Sequence, residues 1–329
     1  MLFFARIVSA KVAVSAARMA LQTPSISKRY GNNWVLRDVS LLIAPGKVLA
    51  LLGAPNSGKT TLLKILAGRE QASPAAIDTD WNGVSVTLHP EQNDSALARF
   101  FGRSERQEFN GAKFQQLMDG AAGILLLDDV LRDCTETELE THADSIRNAA
   151  RDRDLSVIYA TSNFQMAALV ADRIAVLGKG TVLQTGTPEL IYGSPHTPEI
   201  ARLSGRCNIV EARRLTSSKS DSPEFQTIIG SHRLFTERAD VAKLGPINRN
   251  VPLAIRPENV EISFGASFPE DNLVKATVTG TMFLGPTTIV ELDANGLRLE
   301  AMVFRVVGLT VGDECMVALP PDRIRILAS

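Results

Sequence analysis

Residues 48–67 read VLALLGAPNSGKTTLLKILA, and this stretch decides the fold. Its first five residues form a continuous apolar run, the pattern of a strand buried on both faces of a parallel sheet. The segment TTLLKILA at 60–67 has an apolar face at helical spacing and is followed by Gly68, a helix stop. Between strand and helix, Gly53, Ala54, Pro55, Asn56, Ser57, Gly58, Lys59 and Thr60 match GxxxxGK[ST] in full. A phosphate chain needs many N–H donors with no side chains in the way. It also needs a cation reaching the β and γ oxygens and a hydroxyl for Mg²⁺; the glycines, Lys59 and Thr60 supply these at a helix N-terminus.

Working outward, ILLL at 124–127 runs into Asp128 and Asp129, and SVIYA at 156–160 runs into Thr161 and Ser162. Both runs predict strands with polar residues at their C-terminal ends, where open α/β sheets bind ligands. The glycine loop and the two polar pairs are therefore expected to converge on one sheet edge. The segment 136–153 is charged with apolar positions at helical spacing and predicts a crossover helix, and RIAVL at 173–177 predicts another strand. ILLLDD has the form of a Walker B strand, whose first acid, Asp128, would hold the Mg²⁺ that bridges the β and γ phosphates.

After about residue 205 the texture changes. TSSKSDSPE at 216–224 is polar and turn-rich, and short alternating segments follow, punctuated by Gly and Pro. Asp293, Ala294, Asn295 and Gly296 predict a hairpin turn between two of them. A small β-barrel of OB type is the reading.

The bulk numbers agree with two domains: 329 residues, 45% hydrophobic and 22% charged. A net charge of -1 gives no electrostatic footprint for nucleic acid, which is not expected as a partner. Cys134, Cys207 and Cys315 show no CxxC spacing, and His89, His142, His196 and His232 no ligand spacing, so neither zinc nor disulfides are expected. Arg213, Arg214, Arg323 and Arg325 are read as solvated faces. No apolar run approaches the ~20 residues that cross a bilayer, so membrane association is expected to run through a partner. The first eighteen residues, MLFFARIVSAKVAVSAAR, are read as a leader or extension ahead of a start at Met19 and are given no function, since Arg6 and Lys11 interrupt any secretory core.

Three stretches carry a family likeness: SKRYGNNWVLRDVSLLIAPGKVLALLGAPNSGKTTLLKILAG, VIYATSNFQMAALVADRIAVLGKGTVLQTGTPELIYGSPHTPEIARLSGRCN and LAIRPENVEI. The chain resembles the ATP-binding subunit of an ABC importer with a C-terminal TOBE domain, of the polyamine, iron or sugar type. Phe283, Leu284 and Gly285, with Asn208, look closer to polyamine or iron importers. The resemblance implies an α/β P-loop NTPase of ABC type over residues 19–206 and a small all-β, OB-like TOBE domain over 207–329. It implies ATP and Mg²⁺ as cofactors, permease transmembrane subunits and a second ATP-binding subunit as partners, and a cytoplasmic place on the inner face of the membrane. It puts Tyr30 where an aromatic ring stacks on adenine, with Gly53, Asn56, Ser57, Gly58, Lys59, Thr60 and Thr61 around the phosphates and Thr60 and Asp128 on the metal.

The sequence also departs from that family. Asp129 stands where the catalytic glutamate belongs, one methylene shorter, and Ser162 stands where a histidine senses the γ-phosphate. The stretch between Lys59 and Asp128 is too short for the whole helical subdomain. Gln92 is the nearest candidate for its Q-loop glutamine, and Phe109, Asn110, Gly111, Ala112 and Lys113 are a poor relic of its signature. Arg132, Asp133, Cys134 and Thr135 do not form a recognisable D-loop. The expectation is ATP binding with impaired hydrolysis. The alternatives are a non-hydrolysing regulatory or degenerate subunit and the product of an internally deleted gene.

Overall fold

A computed structural model describes residues 21–73, 86–89, 118, 123–132, 134–218, 222–237, 244, 246–263, 272–304 and 308–328. The first part runs β1 (Leu21–Gln22), β2 (Ile26–Tyr30), β3 (Asn33–Val39), β4 (Leu42–Ile43), β5 (Val48–Leu52), α1 (Lys59–Leu66), β6 (Val86–His89), β7 (Ile124–Asp128), α2 (Glu136–Arg153), β8 (Ser156–Thr161), α3 (Phe164–Val170), β9 (Arg173–Gly178), β10 (Thr181–Gly186), α4 (Pro188–Gly193) and α5 (Pro198–Leu203). Six of these strands form one sheet in the order β10-β9-β5-β8-β7-β6. Every neighbouring pair is parallel except the edge pair β9–β10. The glycine-loop strand β5 is central and wholly buried, which is why it reads as an unbroken apolar run.

The pleat of that sheet sorts its side chains between two layers. Val48, Ala50, Leu52, Leu125 and Leu127 face the layer of Ala143, Ile146 and Ala150 of α2 and Ala167 and Val170 of α3. Leu49, Leu51, Ile124 and Leu126 face Leu62, Leu63, Ile65 and Leu66 of α1, together with Ile26, Leu36 and Val39 of the β2–β3 hairpin. The crossover helix α2 starts on a capping box, in which Thr135 Oγ1 accepts from Glu138 N and the Glu138 carboxylate accepts from Thr135 N. It ends at Asp154 in the left-handed region, φ +58°.

The second part comprises β11 (Asn208–Arg214), β12 (Glu224–Thr227), β13 (Arg233–Phe235), β14 (Asn250–Ile255), β15 (Glu261–Ser263), β16 (Asn272–Phe283), β17 (Thr288–Ala294), β18 (Leu297–Val303), β19 (Glu314–Leu319) and β20 (Arg325–Ile326). These make two five-stranded sheets, β13-β12-β11-β14-β20 and β15-β19-β16-β17-β18, each pairing antiparallel. Val210, Phe225 and Leu253 of the first share one core with Val274, Val290, Leu299 and Val317 of the second. Asn295 and Gly296, both at positive φ, make the two-residue turn between β17 and β18. Asn208, read as an importer-type marker, clamps the two sheets: its amide donates to Glu300 O at 2.8 Å and accepts from Glu300 N at 2.7 Å. Asn272 does the same elsewhere, donating to Phe235 O and Leu319 O and accepting from Phe235 N. Phe283 stays 78% exposed.

Candidate nucleotide-binding site

The loop after β5 is fixed at both ends by its neighbours. Gly53 N donates to Thr161 O at the end of β8, 3.2 Å away. A Cβ on Gly53 would lie 2.4 Å from Ser57 Oγ and 2.6 Å from Leu177 O, so this position admits glycine alone. Asn56 and Gly58 turn the loop at φ +64° and +101°, and Gly58 lies so close to Leu36 of β3 that a Cβ would meet its Cδ2 at 2.8 Å. Lys59 Nζ donates to Gly53 O at 2.7 Å, to Ala54 O at 3.0 Å and to Ser57 Oγ at 3.4 Å, which holds the ammonium over the loop. Burial lowers the Lys59 pKa, while the Asp128 and Asp129 carboxylates work the other way.

Thr60 and Asp128 meet as the sequence requires: Thr60 Oγ1 donates to Asp128 Oδ2 at 2.8 Å. Burial raises the Asp128 pKa and Asp129 adds to this, against the Thr60 hydrogen bond and Lys59. A hydroxyl beside a carboxylate that would gain from a cation fits Mg²⁺, which takes one or two protein carboxylates and completes its shell with phosphate oxygens and water. Among the described residues there is no cluster of three or more His, Cys, Asp or Glu, and such a site needs none. Because the folded Asp128 pKa lies above its unfolded value, the folded state loses stability as pH rises from the unfolded pKa through the folded one. Asp128→Asn, which keeps an acceptor for Thr60, is therefore expected to raise the neutral-pH Tm of the nucleotide-free chain. It should also remove the Mg²⁺ dependence of nucleotide binding. A fall in Tm would refute the electrostatic account.

Asp129 and the end of β8 form a second cluster. Asp129 sits at φ +52°, its N–H donates to Ala160 O, and its Oδ1 accepts from Thr161 Oγ1 at 2.9 Å. Thr161 Oγ1 in turn accepts from Asn163 N at 3.1 Å. Ser162 is exposed between them. Asn163 then caps α3, accepting from Gln165 N and Met166 N. Thr61 lies half-buried in the first turn of α1. The loop, Asp128, Asp129 and Thr161 thus share one sheet edge, as the strand ends predict.

Tyr30 ends β2 of the β2–β3 hairpin, whose Leu36 packs on Gly58, and its hydroxyl contact lies past the C-terminal end of α1. Its ring is 50% exposed and its hydroxyl donates to Glu70, just beyond α1. Lys28 Nζ pairs with Glu70 at 2.9 Å and lies 5.0 Å from the Tyr30 ring centroid. Sequence reasoning missed Glu70 and Lys28 because no motif marks them; it placed Thr161 at the sheet edge beside Ser162 but not its bond to Asp129. Residues 1–18, Met19, Gln92, the relic at 109–113 and Asp133 lie outside the described residues.

A central parallel sheet, a glycine loop capped by Lys59 and a Thr60–Asp128 pair define a P-loop nucleotide-binding domain. The ABC transporter family matches residues 36–161 and the TOBE domain family residues 253–327. The Fe(3+) ions import ATP-binding protein FbpC of Photorhabdus laumondii is 23% identical, over 85% of this chain and 88% of the relative. The sulfate/thiosulfate import ATP-binding protein CysA of Bacillus cereus is 25% identical, over 94% and 98%. The spermidine/putrescine import ATP-binding protein PotA of Haemophilus influenzae is 24% identical, over 86% and 88%. A solved ATP-binding subunit of an ABC transporter is 16% identical over 53% of this chain and 92% of that one, with a TM-score of 0.39. The chain thus carries an ABC transporter match followed by a C-terminal TOBE domain match, and over most of its length it is similar to import ATP-binding proteins. The alignment with CysA runs over 365 positions against 329 residues here, so positions of that relative have no counterpart in this chain.

Proposed function

We propose that the chain binds ATP with Mg²⁺ and energises solute uptake through membrane permease subunits. It would work on the cytoplasmic face of the membrane beside a second ATP-binding subunit, with weakened hydrolysis of its own. The observation that carries this reading is the Thr60–Asp128 pair at 2.8 Å beside the Lys59-capped loop. Lys59 and the loop N–H groups would hold the phosphates and the Tyr30 ring the adenine. Thr60 and Asp128 would hold Mg²⁺, which would neutralise charge on the phosphates. Stacking is worth about 1–3 kcal/mol per base. Tyr30→Ala is accordingly expected to weaken Mg·ATP binding about tenfold, while Tyr30→Phe keeps the affinity, both read by calorimetry.

Weak hydrolysis is favoured by a specific contact. The Asp129 carboxylate is one methylene short and is also tied to Thr161 at 2.9 Å, which holds it back from an attacking water, and a misplacement of ~1 Å costs ~10²-fold. Exposed Ser162 can hydrogen-bond a γ-phosphate but cannot match it with positive charge. The same two features support the second reading, a subunit that binds nucleotide without turning it over. The deciding experiment measures Mg²⁺-dependent phosphate release by the purified chain, alone and with an intact ATP-binding subunit, for wild type and Asp129→Glu. A low wild-type rate that rises about tenfold or more in Asp129→Glu supports a weakened ATPase. Release that stays absent in every combination supports the non-hydrolysing subunit. A wild-type rate equal to that of an intact importer ATPase refutes impairment.

A further inference from the structure

We propose that the junction between the nucleotide-binding and β domains holds a binding site for a small multivalent oxyanion, framed by Arg256, Asn259, Arg323 and Arg325. A pocket of about 220 Å³ opens there, walled by Tyr192 and Cys207 as well as these four, and no carboxylate lines it. Its deepest charge is Arg256, 5% exposed. The Arg256 guanidinium donates five hydrogen bonds: two to Tyr192 O, one each to Ala201 O and Arg206 O, and one to Ser204 Oγ. All four acceptors are neutral. The Tyr192 ring lies 3.9 Å from the guanidinium carbon. Among the described residues no Asp or Glu forms an ion pair with Arg256; Glu258 nearby accepts from the Tyr192 hydroxyl at 2.6 Å instead. Arg256 is therefore a buried cation whose hydrogen bonds are satisfied and whose charge no direct contact neutralises, an arrangement that projects positive potential into a low-dielectric cleft.

The rim supplies donors for an occupant. Arg323 uses Nε on Asp322 at 3.0 Å, and among the described residues both of its Nη groups remain. Arg325 uses Nε on Gly193 O and Nη1 on Asp322 O, leaving Nη2 among the described residues. The Asn259 side chain forms no hydrogen bond among the described residues, only its backbone N–H being used, on Arg256 O. Planar guanidinium forks match oxyanions in shape as well as charge. The Cys207 thiol adds no negative charge, since burial pushes its pKa up. Three arginines against the carboxylates of Asp322 and Glu258 leave the rim and floor net positive.

The test is calorimetric titration of the full chain with sodium phosphate and with sodium citrate, using sodium chloride at matched ionic strength as control and Mg·ADP present to fill the P-loop. Arg323→Gln is the informative variant, because among the described residues the Arg323 side chain pairs only with Asp322 at the surface and carries none of the Arg256 junction contacts. Saturable binding of phosphate or citrate that falls about tenfold or more in Arg323→Gln, and is unchanged in Lys59→Ala, supports the site. Preference between the two anions then separates a phosphate-bearing from a polycarboxylate ligand. No saturable signal above chloride, equal affinity in Arg323→Gln, or loss of binding in Lys59→Ala would overturn it.

Discussion

Lys59→Ala is expected to weaken Mg·ATP binding by about two to three orders of magnitude, since two charge-assisted hydrogen bonds to phosphate at about 1.5–3 kcal/mol each amount to several decades of affinity. The ammonium occupies the one position from which a cation addresses the whole loop, between Gly53 O, Ala54 O and Ser57 Oγ. Its charge is held there against desolvation, so its removal should not cost the nucleotide-free fold. Calorimetry with Mg·ATP and thermal unfolding without nucleotide, run on the same preparation, check both halves. Affinity within threefold of wild type would mean that the nucleotide is held somewhere other than this loop.

Arg256→Met is expected to lower the Tm by on the order of 10 °C. The variant keeps the volume of the side chain but leaves the carbonyls of Tyr192 and Arg206 without their guanidinium donors and strips one donor each from Ala201 O and Ser204 Oγ, which still bond to each other. Unsatisfied buried groups cost about 1–3 kcal/mol each; allowing for relaxation, the sum is roughly 3–5 kcal/mol, and each kcal/mol moves the Tm of a domain of this size by about 2–4 °C. Arg256→Lys should rescue little, because a point charge with three donors cannot reproduce five bonds to four acceptors spread over three segments. Differential scanning calorimetry is the measurement. A loss below about 2 °C would show that the guanidinium is not what ties α4 and α5 to β14.

Much of the fold was legible because its signals are local. The apolar runs at 48–52, 124–127 and 156–160 became the buried parallel strands β5, β7 and β8, and the capping box of Thr135 and Glu138 started the helix between the last two. The meeting of Thr60 with Asp128 was also legible, because in a parallel sheet every strand delivers its C-terminal residue to the same edge. The hairpin turn at Asn295 and Gly296 needs only two residues that tolerate positive φ.

Other features carry no local signal. Thr161 on Asp129, Glu70 under Tyr30, Asn208 on Glu300 and the five bonds of Arg256 join residues between 32 and 92 positions apart. Arg323 and Arg325 read as solvated surface, yet they frame a pocket once β20 pairs with β14. By itself the sequence determined the phosphate loop, the acidic strand end, the helix between them and the change to an all-β second part. Only the tertiary structure decided which way Asp129 is tied, what anchors Tyr30, and that a cation is buried at the domain junction with no ion pair among the described residues. The reason is physical: a phosphate loop is built from consecutive backbone donors and is specified by its own residues, whereas the satisfaction of a buried polar group depends on which distant segment the packed core places against it.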